Sequence, residues 1–212
     1  MALNYRTVPV TPFQQNASIV YCTETRKAAV IDPGGDLPLL LGAVDELGVE
    51  LEQIWLTHAH IDHAGATGTL ARQRGLPVIG PHPGDRFWID ALEQQSRMFG
   101  FAPAEPFEPT RWLDDGDQVS VGACTLAVRH CPGHTPGHVV FHSASACRAF
   151  VGDVLFAGSI GRTDFPGGDF DTLIRSITER LWPMGDDTVF IPGHGPESSF
   201  GRERRFNPYL QG

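Results

Sequence analysis

Between positions 58 and 63 the chain reads His-Ala-His-Ile-Asp-His, directly after the apolar run Ile54-Trp55-Leu56-Thr57. Three of the nine histidines thus fall within six residues, beside a carboxylate. Imidazole nitrogens and carboxylate oxygens are ligands for divalent metals. Side chains alternate along an extended strand, so His58 and His60 project the same way from a strand end. Asp62 and His63 precede Ala64 to Arg74, a stretch of good helix formers stopped by Gly75, which predicts that they sit at a helix N-terminus. A strand end and a helix start offer two pairs of ligands, and two adjacent metals follow from that.

The same arrangement recurs three times downstream: an apolar, strand-like run followed by a ligand-type residue. Leu126-Ala127-Val128 leads through Pro132-Gly133 to His134, Ala149-Phe150-Val151-Gly152 to Asp153, and Val189-Phe190-Ile191-Pro192-Gly193 to His194. Loops beyond the carboxyl ends of strands gather functional groups in sheets flanked by helices, so these residues are expected to converge. The allocation is His58, His60 and His134 for one ion, Asp62, His63 and His194 for a second, and Asp153 bridging them through its two oxygens. Ions about 3.5–4 Å apart make a nucleophile of water at neutral pH and polarise an electrophile's oxygen. Ligands of this kind suit zinc, iron or manganese, with zinc the first expectation.

The elements that must position these residues are legible in outline. Strand-like runs near Ser18–Tyr21, Ala28–Ile31, Ile54–Leu56 and Val78–Ile79 alternate with helical patterns at Leu37–Leu47, Ala64–Arg74 and Asp85–Met98. After a Pro-rich loop from Ala102 to Thr110 come strands at Val119–Val121, Thr125–Arg129, Val139–His142 and Ala149–Val151, then a helix at Asp171–Arg180. This order predicts an α/β fold with two sheets covered by outer helices, in a single domain spanning 1–212.

Composition narrows the partners. A chain of 212 residues with 41% hydrophobic content can bury one sizeable core, and its net charge of −9 argues against nucleic acid as partner. Arg202, Arg204 and Arg205 read as a solvated helix face. No stretch is long and apolar enough to span a membrane, and Met1 to Asn16 has no signal-peptide core. Four cysteines without Cys-x-x-Cys or framework spacing fit reduced thiols in a cytoplasmic protein. Cys131 reads as a small apolar residue ending a strand rather than a ligand. His82, His130, His138 and His142 read as ordinary hydrogen-bonding or surface histidines.

The segments HAHIDH, PGHTPGH, VGD and IPGHG resemble, in order and spacing, the metal motifs of the metallo-β-lactamase-fold hydrolases. Gly158 to Phe165 and Glu203 to Leu210, with its Asn207-Pro208-Tyr209, resemble the short bacterial members of the glyoxalase II (hydroxyacylglutathione hydrolase) group. The resemblance implies an αββα four-layer sandwich and the seven ligands named above, with Asp62 also catalytic. It implies that Asp32, before Pro33-Gly34-Gly35, orients a metal-bound histidine; capping that turn is the alternative. Arg162 aligns with a lysine that helps hold glutathione in longer relatives; an ion pair with Asp164 is its alternative role. Pro196 stands where those enzymes carry a glutathione-contacting tyrosine, and the chain has no counterpart of their helical C-terminal domain.

The activity implied is hydrolysis of a small-molecule thioester, S-lactoylglutathione first, to lactate and glutathione. A thiol has a pKa of about 8.5, so it leaves with little help from a general acid. Other readings are an iron-dependent glutathione persulfide dioxygenase, against which stands Ile160 where that group has cysteine, and a lactonase or β-lactamase. A non-catalytic metal staple is the remaining one, disfavoured because seven ligands for two ions leave open positions.

Overall fold

The computed structural model describes residues 2–211. In the first half lie β1 (Leu3–Val10), β2 (Gln15–Cys22), β3 (Lys27–Ile31), α1 (Leu37–Leu47), β4 (Glu50–Trp55), α2 (Ile61–Ala64), α3 (Thr67–Arg74), β5 (Val78–Ile79), α4 (Arg86–Asp90) and α5 (Leu92–Phe99). The second half has β6 (Gln118–Val121), β7 (Cys124–His130), β8 (Val139–Ser143), β9 (Arg148–Gly152), β10 (Leu155–Phe156), β11 (Ser159–Ile160), α6 (Phe170–Arg175), β12 (Val189–Pro192), β13 (Ser198–Ser199) and α7 (Phe200–Phe206). Two mixed sheets result, β1-β2-β3-β4-β5 and β13-β12-β9-β8-β7-β6, with β10-β11 as a separate hairpin.

Period-two alternation explains why the sheets stack. On β2 and β3, Ala17, Ile19, Ala28 and Val30 pack with Leu40 and Val44 of α1 and Leu70 of α3, while Val20, Cys22, Ala29 and Ile31 face the other sheet. Across the interface stand Phe141 of β8, Phe150 of β9 and Ile191 of β12, and Trp55 meets Phe141 at 5.4 Å between ring centroids. The opposite residues of those strands, Val140, Ala149, Val151 and Phe190, pack with Leu173 of α6, Ile177, Leu181 and Phe200 of α7. Three apolar layers between four structural layers give the αββα order expected above. Each large side chain buried in them contributes about 1.5–3 kcal/mol.

The segments bearing the candidate ligands lie beyond strand ends, with three local departures from expectation. His58 and His60 are not on the strand: β4 stops at Trp55, and both histidines lie in the connection to α2. The helix expected over Ala64–Arg74 starts only at Thr67, as α3, and Asp62 and His63 lie within the separate short α2; between the two, the N–H of Ala66 turns to the carbonyl of Pro33 (3.1 Å). Only glycines allow that approach: a Cβ on Gly65 would lie 2.4 Å from the Ile61 oxygen, and one on Gly34 1.5 Å from the Asp62 oxygen. The helix expected over Asp85–Met98 breaks at Ala91, where Gln95 Nε2 donates to the Trp88 carbonyl (2.8 Å) and Gln95 Oε1 accepts from the Ile61 N–H (3.0 Å).

The two halves are stitched beside the site. The N–H of Asn16, on β2, donates to the Gly193 carbonyl (2.7 Å), and Asn16 Nδ2 donates to the carbonyls of Pro192 (3.0 Å), which ends β12, and Gly195 (2.9 Å) beyond it. β1 is not among the strands expected above; it carries Pro9 as an edge strand, where a missing N–H is tolerated. Among the described residues no helix is long and apolar enough to cross a membrane.

Candidate metal centre and its cleft

All seven residues singled out at strand ends converge. Ligand-type atoms of His58, His60 and His134 lie within 4.8 Å of one another, as do those of Asp62, His63 and His194. Asp153 stands between the groups. Its Oδ1 is 3.3 Å from His63 Nε2, and its Oδ2 is 3.6 Å from His134 Nε2 and 3.7 Å from His194 Nε2. Asp62 Oδ2 is 3.1 Å from His194 Nε2 and 3.8 Å from His63 Nε2. Most of this constellation is buried, with His194 the more open member at 30% side-chain exposure.

Four of the five rings are held by an oxygen at Nδ1. His58 Nδ1 donates to Thr57 Oγ1 (3.0 Å), whose own proton goes to Asp32 Oδ2 (2.6 Å). His63 Nδ1 donates to Asp32 Oδ2 (2.9 Å), His134 Nδ1 to the Arg162 carbonyl (2.8 Å), and His194 Nδ1 to the Phe13 carbonyl (3.2 Å). A proton fixed at Nδ1 leaves Nε2 with a lone pair, and in each case Nε2 faces the cluster. His60 differs by turning Nδ1 inward, 3.0 Å from His134 Nε2.

This is the donor set a metal requires. Nε2 of His58 and of His63 and Oδ1 of Asp153 are buried and make no hydrogen bond, a state that costs about 1–3 kcal/mol per group unless something else binds there. The backbone keeps clear as well: a Cβ on Gly193 would sit 2.1 Å from Asp153 Oδ1 and 2.6 Å from His63 Cε1. The residues fit divalent cations.

Charges are unevenly distributed. Burial, reinforced by neighbouring imidazoles, lowers the pKa of His58 and His60 well below the ordinary value, and burial lowers that of His134. Burial also works against a proton on His63, but Asp153, Asp62 and Asp32 outweigh it and raise its pKa well above the ordinary value. Burial is the largest single influence on His194 and opposes its proton, but Asp62 and Asp153 together outweigh it and raise its pKa. Burial would raise Asp153, yet His63, His134 and His194 hold it far below the usual carboxylate range.

Asp32, expected to orient a metal-bound histidine or to cap a turn, uses both oxygens beside the candidate ligands: Oδ2 binds the Thr57 hydroxyl and His63 Nδ1, and Oδ1 accepts from the Thr57 N–H (2.7 Å). It occupies a left-handed backbone conformation, φ 53°, strain that the surrounding hydrogen bonds over-determine. Arg162 contributes its carbonyl to His134, while its guanidinium makes a two-point pair with Asp164 (2.7 and 2.6 Å) and lies over the Phe165 ring at 4.2 Å.

Three supporting residues were missed from the sequence. Asp85 is fully buried and accepts from the N–H of Ala59 (3.0 Å), the Thr135 hydroxyl (2.9 Å) and the N–H of Gly137 (2.6 Å), tying the His58–His60 loop to the His134 loop. Burial raises its pKa to about 7 against the pull of those donors. Thr57 holds His58, and only its place before the histidines hinted at it. His138 is more than an ordinary histidine: Nε2 accepts from the Asp153 N–H (3.1 Å) and its ring stacks on His58 at 4.7 Å. The paired Pro-Gly-His and Pro-Gly-His of PGHTPGH was the available signal. Cys131, by contrast, is buried in the outer apolar layer.

Beside the constellation opens a cleft of about 840 Å³, bordered by His60, Asp62, His134, Asp153 and His194 on one side and by aromatic residues on the other. Trp88 and Phe165 close on His60, with centroids 4.6 and 5.0 Å away.

With this geometry, residues 10–194 match the sequence profile of the metallo-beta-lactamase superfamily. The chain belongs to that superfamily. It is 42% identical to the hydroxyacylglutathione hydrolase GloC of Haemophilus influenzae, over 98% of both chains. Among solved structures it is similar to the BLEG-1 B3 metallo-beta-lactamase (TM-score 0.90, 36% identity, 99% of this chain and 100% of that one). It is also similar to TTHA1623, crystallised in a di-iron-bound form (TM-score 0.88, 38% identity, 97% and 100%). This superfamily member is a metal-dependent hydrolase of the αββα fold, and its His/Asp clusters imply a divalent metal centre.

Proposed function

We propose that the chain is a binuclear-metal thioester hydrolase whose first candidate substrate is S-lactoylglutathione. The observation that carries the reading is Asp153, whose carboxylate lies between the two imidazole groups, Oδ1 toward His63 and Oδ2 toward both His134 and His194, a position that suits a carboxylate shared by two ions. In this reading His58, His60 and His134 hold one ion, and Asp62, His63 and His194 the other. When bound, such a pair lowers the pKa of water and polarises the acyl oxygen. Zinc is the first candidate, with iron next because TTHA1623 is similar and carries a di-iron centre.

The protein's own part is orientation and exclusion of water. Thr57, Asp32 and the carbonyls of Arg162 and Phe13 keep the imidazole protons on the outward nitrogens, so the lone pairs stay turned inward. Trp88 and Phe165 shield the His60 side of the cleft. The thiol leaves as thiolate, which needs little proton donation, so a separate acid is dispensable. Arg162 borders the substrate at the cleft wall. The likeness to GloC supports glutathione thioesters as the starting class, and the free cysteines support a cytoplasmic setting.

The test is release of free thiol from S-lactoylglutathione by the purified, metal-loaded protein. A kcat/KM of about 10⁴ M⁻¹s⁻¹ or more is expected. Absence of thiol release, together with β-lactam or lactone ring opening or oxygen uptake with glutathione persulfide, would replace the assignment.

A further inference from the structure

The wall of the cleft opposite the candidate ligands is apolar to a degree that lactate and glutathione do not explain. Phe13, Phe87, Met98 and Phe99 line it and are 46, 42, 66 and 38% exposed, although they are large hydrophobic side chains. Trp88 and Phe165 line the same cleft and pack on His60, so apolar side chains reach from the opening to the candidate ligands. A contiguous exposed apolar patch that ends at a reactive site marks a place where apolar ligand surface is buried.

Electrostatics point the same way. Glutathione presents two carboxylates and needs cationic partners. Among the described residues Arg162 is the one lysine or arginine on the cleft, and its guanidinium is already paired twice with Asp164 and stacked on Phe165. The chain as a whole carries −9, which repels rather than attracts an anionic thiol. A three-carbon lactoyl group would leave most of an 840 Å³ space unfilled.

We propose that the cleft selects thioesters bearing an uncharged apolar group, the size of a phenyl ring or a hexyl chain, on the acyl or the thiol side, seated against Phe13, Phe87, Trp88, Met98, Phe99 and Phe165. The turnover part of this assignment rests on the thioester reading given above; the choice of ligand class does not.

Two matched comparisons separate the acyl side from the thiol side: S-mandeloylglutathione against S-lactoylglutathione, and the lactoyl thioester of 2-phenylethanethiol against that of glutathione. At least one comparison is expected to show kcat/KM rising on the order of 10-fold or more for the apolar member. In Met98→Asp and Phe87→Asp, both at exposed positions, that ratio falls toward one. Flat ratios in both comparisons, or a ratio unchanged in both variants, would overturn the proposal. Calorimetric titration of the metal-loaded protein with 6-phenylhexanol and with S-methylglutathione reads the ligand class without turnover. Tighter binding of the alcohol, weakened in Met98→Asp, is the expected result, and tighter binding of S-methylglutathione sinks the idea. If no thioester is cleaved but the alcohol binds, the thioester reading falls and the apolar-ligand assignment stands.

Discussion

The two imidazole groups of the site are built from the same materials to opposite electrostatic ends. His58, His60 and His134 are fully or almost fully buried and shifted toward the neutral form. His63 and His194 share space with Asp62 and Asp153 and are shifted toward the protonated form, and His194 is partly open to solvent. A neutral imidazole accepts a cation without first losing a proton, whereas a protonated one must release it. The first group is thus set by burial and the second by carboxylates; Asp153, which faces both, couples them.

That coupling is broken most severely by Asp153→Ala. Turnover of the substrate identified by the thiol-release assay is expected to fall on the order of 10³-fold, and metal per chain, measured by elemental analysis, should drop with it. Unchanged metal content and an unchanged rate would mean that the carboxylate serves neither group. Asp32→Ala removes the acceptor shared by Thr57 and His63, one residue beside each group. A loss of about 10–100-fold in metal affinity is expected, and Thr57→Val, which touches only the His58 side, should lose less.

The contrast is sharpened by pH in the metal-free protein. His58, His60 and His138 have pKa values lowered well below the ordinary 6.5, so the unfolded chain binds more protons below that value. Their stability contribution is complete above about pH 6.5 and is lost on acidification, with a slope of up to about 1.4 kcal/mol per pH unit per residue. His63 and His194 are raised, so their contribution is complete below about pH 6.5 and is lost as pH rises through their folded values. Urea unfolding across pH should therefore show maximal stability close to pH 6.5, and a monotonic curve would refute this division of charge.

Asp85→Asn turns an amide NH₂ toward one of three donors. Stability should fall by about 1–3 kcal/mol, read from the denaturation midpoint, with the larger functional effect on metal affinity at the proposed site of His58, His60 and His134. The smallest effect belongs to Cys131→Ala: the thiol lies in the outer apolar layer, so activity should be unchanged within error even though His134 is three residues away.

Legibility in the sequence followed how local the determining forces are. The seven convergent residues could be read because each follows an apolar run, and α1 was read with its observed ends because its pattern and Gly48 are local signals. β1 hid behind Pro9, whose tolerance depends on lying at a sheet edge. The break between α2 and α3 depends on Pro33, thirty-odd positions upstream, drawing away the N–H of Ala66. Asp85 gave no local sign, because its partners Ala59, Thr135 and Gly137 come together only after folding. The apolar wall was invisible for the same reason, being drawn from loops and helices of both halves.

The stitch between Asn16 and the Pro192–Gly195 turn has a consequence for how the catalyst comes into being. Four of the seven convergent residues precede position 64 and three follow position 133, so a nascent first half owns only part of a chelate. Cation capture then reports docking of the halves, and a chelator should act as a solvent for that seam: withdrawing the ions would loosen the Asn16 contacts, and hydrogen exchange should quicken there before it does in the sheet interiors.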